Sequence, residues 1–168
     1  MKIKKIAFLG LFVAVAMILS FLETLIPNIV PIPGFKIGLA NFAILLALYL
    51  YDYKEAIIVD LVRILLSAIL FGSMFSLFYS LSGAVLALTV EIVFKRVDKF
   101  SVIGVSVLGA VFHNIGQFIL AICILKSFSL LYYLPFTLIF CILTGAFNGY
   151  LVLILKDRLK FINNKNQS

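Results

Sequence analysis

Between Val102 and Leu125 the chain runs without a single Asp, Glu, Lys or Arg, and no other feature so limits how it can fold. A stretch of that length matches the hydrocarbon thickness of a bilayer, where every backbone N–H and C=O must find its partner within the segment. It must therefore be helical. Comparable apolar runs recur along the chain. Of its 168 residues, 64% are hydrophobic and 12% charged, and the mean hydropathy is +1.23, far beyond the roughly half-apolar composition of soluble domains. The sequence predicts an all-α polytopic membrane protein, a six-helix transmembrane bundle with spans at about 6–26, 37–51, 56–71, 75–94, 102–125 and 132–155. Those spans fill a single integral membrane domain over 1–168, ending in a polar tail at 156–168 that is expected to fray.

Charge sets the expected orientation. Lys2, Lys4, Lys5, Lys54, Lys95, Arg96, Lys99, Lys156, Arg158, Lys160 and Lys165 fall on one side of these spans, while Lys36 and Lys126 fall on the other. The positive-inside rule places both termini in the cytoplasm, as an even number of spans requires, with the chain multi-pass in the cell membrane. The net charge of +7 is then a matter of topology and anionic lipid, and gives no reason to invoke nucleic acid. The opening MKIKKIAFLGLFVAVAMIL has the basic start of a signal peptide. Its apolar run continues to Ile26 without a small-residue cleavage site, so it reads as a retained first span.

Polar residues inside the apolar runs are the candidate functional groups, because each costs free energy in lipid unless it faces other helices or a watery cavity. His113, the only histidine, stands one turn from Gln117, with Asn114 about 100° round the helix. Asp60 and Arg63 are one turn apart in the third span, with Ser67 a turn further on the same face. A lone arginine at mid-span costs about 3 kcal/mol on insertion scales, so Arg63 needs a partner and Asp60 is the nearest. The pair reads either as a self-neutralised lock between helices or as an anion-recognising Arg63 oriented by Asp60. Asn41 opens the short second span. Together Asn41, Asp60, Arg63, His113, Asn114 and Gln117 are the expected substrate-binding set, under a proline-rich loop at 27–36 that could act as a lid. Glu23 is expected to reach water near the outer end of the first span, and Glu91 to sit at the interface beside Lys95 and Arg96.

Little supports catalysis. The chain has no GxxxxGK[ST] phosphate loop, no HExxH or paired-cysteine metal signature and no GxSxG elbow. Cys123 and Cys141 lie within apolar runs and read as packing residues. No catalytic residue, metal or cofactor is expected, and the economical function is moving or binding a small molecule.

The segments KKIAFLGLFVAVAMILSFLETLIP, GFKIGLANFAILLALYL, VRILLSAILFGSMFSLFYSLSGAVLAL, GAVFHNIGQFILA and GAFNG, in this order over about residues 4–155, resemble the bacterial Gx transporter family, also labelled heptaprenyl diphosphate synthase component I. That family is similar to the substrate-binding S components of energy-coupling factor (ECF) transporters. The resemblance implies a six-helix subunit that captures a small metabolite or micronutrient outside the cell and depends on a transmembrane coupling subunit and cytoplasmic ATPases. It also implies that a small-residue face of the first helix, here Ala7, Gly10 and Ala14, docks the coupling subunit, with Gly10 where that face carries an alanine. The second label implies the alternative, a membrane component of prenyl diphosphate synthesis. Prenyl diphosphate synthases resemble one another in DDxxD motifs that hold Mg²⁺, and no two aspartates are adjacent here, so this chain would be non-catalytic.

Overall fold

The computed structural model describes residues 2–25, 38–97 and 99–165. The expected lid at 27–36 lies outside the described residues. Among the described residues six α-helices follow one another: α1 (Lys2–Leu25), α2 (Asn41–Leu50), α3 (Tyr53–Phe71), α4 (Met74–Val97), α5 (Val102–Leu125) and α6 (Leu134–Lys165), with a 3₁₀ turn (Phe128–Tyr133) before the last. Four segments, Lys5–Leu25, Met74–Val97, Val102–Leu125 and Phe128–Leu159, are long and apolar enough to cross a membrane. The second span expected at 37–51 forms only a 10-residue helix, about 15 Å long and half the hydrocarbon thickness. At the other end, the tail expected to fray instead continues α6 as helix to Lys165.

Local chemistry sets the helix ends. Ser73 Oγ accepts the Ser76 N–H at 3.2 Å and Ser101 Oγ accepts the Gly104 N–H at 3.0 Å, satisfying donors that the first turns of α4 and α5 leave free. Lys126 closes α5 in the left-handed region at φ 48°.

The helices close into a ring. α1 packs on α3, α3 on α4, α4 on α5, α5 on α6, α6 on α2 and α2 back on α1, while α2 also touches α3. Two glycines set the tightest approaches. A Cβ at Gly116 would lie 2.6 Å from the Ser82 carbonyl oxygen of α4, and one at Gly149 would lie 2.7 Å from Ile103 Cα of α5. Only the absence of a side chain lets these backbones meet, which is how helices associate in lipid without a hydrophobic driving force.

The ring is apolar outside and polar within. Ile18, Ile69, Val85, Ile119 and Leu143 are exposed, while Ser20, Glu23, Asp60, Arg63, Glu91, His113, Asn114, Gln117, Thr137 and Asn148 are buried. A soluble protein would aggregate with that surface. A membrane protein needs it, because the hydrocarbon solvates the outer side chains while the polar ones are kept inside, away from lipid.

Candidate ligand-binding site

The costliest residues sit on α3. Asp60 and Arg63 are each 2% exposed, and the Arg63 guanidinium donates through Nη2 to Asp60 Oδ1. Their i,i+3 spacing places both on one face, and the ion pair removes most of the cost of burying either charge alone. Arg63 Nε and, one turn on, Ser67 Oγ are buried and find no hydrogen-bond partner among the described residues.

Glu91 of α4 belongs with this group. It is 3% exposed and lies within electrostatic reach of Asp60. Its carboxyl fills the notch at Gly109 of α5, where a Cβ would come within 2.0 Å of Oε1. The interfacial position expected beside Lys95 and Arg96 is thus corrected: Glu91 lies one helical turn before Lys95 on much the same face of α4, and its side chain is buried against α5, where Gly109 leaves it room.

One turn along α5 from Gly109, the His113 ring lies against Gly83 of α4, whose absent Cβ would come within 2.8 Å of it. Gln117 Nε2 lies 3.1 Å from His113 Nε2. The amide and the ring, one turn apart, thus share a hydrogen bond along the buried face of α5. Gln117 Oε1 is buried without a hydrogen-bond partner.

Asn114 turns the other way, to α6. Its Nδ2 donates to Cys141 Sγ at 3.0 Å, and its Oδ1 accepts from Thr137 Oγ1 at 3.1 Å. The residues of this network on α6 carried no candidate role in the sequence, since a threonine and a cysteine in an apolar run resemble ordinary packing.

The third group gathers at the amino end of α2. Glu23 Oε1 of α1 accepts the backbone N–H groups of Gly38 and Leu39 at 2.5 and 2.7 Å. From α6, Asn148 Nδ2 donates to the Gly38 carbonyl at 3.0 Å. Gly38 adopts φ +100°, a conformation that favours glycine. Glu23, expected at the water-facing edge, is instead buried and joins α1 to α2. Asn41 lies beside Gly38, and its Nδ2 finds no hydrogen-bond partner among the described residues.

The expected residues thus fall into three groups: Asp60 with Arg63, His113 and Asn114 with Gln117, and Asn41 at the start of α2. Their unmet atoms are donors (Arg63 Nε, Asn41 Nδ2), an acceptor (Gln117 Oε1) and a hydroxyl that can do either (Ser67 Oγ). Among the described residues the interior holds three carboxyls, Glu23, Asp60 and Glu91, beside the Arg63 guanidinium. With Arg63 already paired to Asp60, that balance leaves no interior guanidinium or ammonium free for phosphate or carboxylate among the described residues.

On the outer face of α1, Ala7, Gly10 and Ala14 are exposed, and a Cβ at Gly10 would meet nothing within 4 Å.

No curated protein and no solved structure matches the chain. Residues 12–155 match the family described as heptaprenyl diphosphate synthase component I. With the match covering most of its length, including every buried polar group described above, the chain belongs to the heptaprenyl diphosphate synthase component I family.

Proposed function

We propose that this chain is the membrane-embedded, non-catalytic component of a prenyl diphosphate-synthesising assembly, in which a separate subunit makes the carbon–carbon bonds. Family membership over residues 12–155 carries this reading. The chemistry of the chain supports the division of labour: no adjacent aspartates are present to hold Mg²⁺ against a diphosphate, and the interior carboxyls oppose an anionic substrate. In this reading the chain crosses the bilayer six times, with the short α2 covering only about half of its crossing, and both termini are cytoplasmic. The six expected site residues then line a compartment for a small neutral or cationic ligand.

The outer face of α1 favours a second reading. Ala7, Gly10 and Ala14 leave a notch that no part of the described chain fills at Gly10, and such small-residue faces suit docking another transmembrane helix. The chain would then be the substrate-capture subunit of an ECF-like importer, served by a coupling subunit and ATPases. Tagged purification from native membranes in mild detergent, with identification of the co-purifying proteins, separates the two. Recovery of a soluble prenyl synthase supports the first reading; recovery of a transmembrane coupling subunit with ATPases, and no synthase, replaces it with the second.

A further inference from the structure

Ser20 Oγ of α1, Arg63 Nε and Ser67 Oγ of α3, and Gln117 Oε1 of α5 have no hydrogen-bond partner among the described residues, although none of these side chains is more than 2% exposed. Polar atoms buried so deeply are paired as a rule, because each one left bare costs the desolvation of that group.

The fold brings the four to one depth. α1 and α3 run side by side in the same direction: Lys5 pairs with Glu55 at 2.5 Å near their starts, and the rings of Phe21 and Phe71 meet at 5.5 Å near their ends. Ser20 therefore stands beside the last turns of α3, where Ser67 lies. Arg63 and Ser67, four residues apart on one face, hold their Cβ atoms about 6 Å apart. α4 lies between α3 and α5 and runs against both, so α3 and α5 are parallel. Glu91 of α4 fixes their register, being within electrostatic reach of Asp60 and seated at Gly109. From that common level Ser67 is seven residues up α3 and Gln117 eight residues up α5, about 10 and 12 Å of helix. A second chain of contacts agrees. Glu23, three residues after Ser20, lies within electrostatic reach of Cys141, and Cys141 accepts from Asn114, three residues before Gln117.

The unmet atoms differ in kind. Arg63 Nε can only donate, Gln117 Oε1 can only accept, and the two hydroxyls do either. A carboxylate or phosphate would leave Gln117 Oε1 bare, and an ammonium would leave Arg63 Nε bare. We propose that Ser20, Arg63, Ser67 and Gln117 bind a neutral carboxamide or lactam group of a small molecule, its C=O accepting from Arg63 Nε and a serine hydroxyl, its N–H donating to Gln117 Oε1. This deepens the interior compartment read above and rests on it, whichever partner the chain serves.

The test offers the full chain, in neutral detergent, benzamide, benzoate and benzamidinium, rings of one shape with a neutral, an anionic and a cationic substituent. Binding is followed by saturation-transfer NMR titration, and the melting temperature is measured without any probe. Benzamide should bind in preference to the other two. Ser20→Ala and Ser67→Ala should each weaken it by about five-fold, the worth of one typical hydrogen bond. Neither should lower the probe-free melting temperature, since neither removes a bond within the chain. A lowered melting temperature in both serine variants would overturn the proposal, because the hydroxyls would then already be paired. Benzamide binding that both variants leave intact, or that is no tighter than that of the charged probes, would overturn it as well. Preference for benzamidinium would remove the amide class and keep the compartment; failure of all three probes together with destabilised serine variants would remove both.

Discussion

The interior and the rim of this bundle handle charge in opposite ways. Inside, Asp60 and Arg63 sit together on one turn of α3, buried to 2%, and Glu91 rests in a notch of α5. At the rim, Lys5, Lys54, Lys95, Arg96 and Lys156 lie over tyrosine rings, partly in solvent, and Lys5 also pairs with Glu55. Buried charges must be neutralised locally, because removing a partner leaves a bare ion in a medium of low polarity; rim charges are screened and can remain in excess. The interior is thus balanced group by group, while the rim keeps a basic character.

The contrast is sharpest at Arg63. Arg63→Ala should lower stability by about 3–5 kcal/mol by leaving Asp60 unpaired, read as SDS-induced unfolding of the purified protein. Replacing both residues, Asp60→Leu with Arg63→Met, should recover much of that loss, whereas a ligand that uses Arg63 Nε would still be lost. Next in size is the helix contact behind the site. Gly116→Ala drives a methyl against the Ser82 carbonyl oxygen and should cost about 1–3 kcal/mol in the same assay.

These two sites also show what was legible in sequence. The Asp60/Arg63 pairing followed from spacing and the cost of a charge in lipid, and the helix ends at Phe71 and Leu125 followed from breaks in apolar runs. Glu91 was misread because its nearness in sequence to Lys95 and Arg96 suggested an interfacial place, while the room that takes its carboxyl is made by Gly109 on another helix. The shortness of α2 was hidden for a related reason: the apolar residues preceding Asn41 continue the hydrophobic run, while Glu23 and Asn148 hold the backbone of Gly38 out of helix. No single-segment pattern carries a contact between residues 110 positions apart. The network of Asn114, Thr137 and Cys141 was illegible on the α6 side for the same reason.

That network supplies a smaller test. Thr137→Val keeps the shape but removes a donor to Asn114 Oδ1, and should cost about 0.5–1.5 kcal/mol in thermal unfolding. The smallest effect belongs to the rim. A hydrogen bond from Lys5 holds the Glu55 carboxyl below the usual carboxylate range. Its contribution is present in full above the ordinary carboxylate pKa and is lost as pH falls through the lowered one. Since the Lys5 end of the pair is exposed to solvent, Glu55→Gln should change stability by less than about 1 kcal/mol at neutral pH, and should flatten the acid limb of a melting-temperature profile.

The division between a binding membrane component and a catalytic partner is tested most directly by prenyl transfer itself. The purified chain, its co-purified partner and the two together would be given an allylic prenyl diphosphate, labelled isopentenyl diphosphate and Mg²⁺. Label should enter prenyl product with the partner present and not with the chain alone, and the chain should raise the partner's output. Incorporation by the chain alone, or a partner indifferent to its presence, would contradict the proposed role.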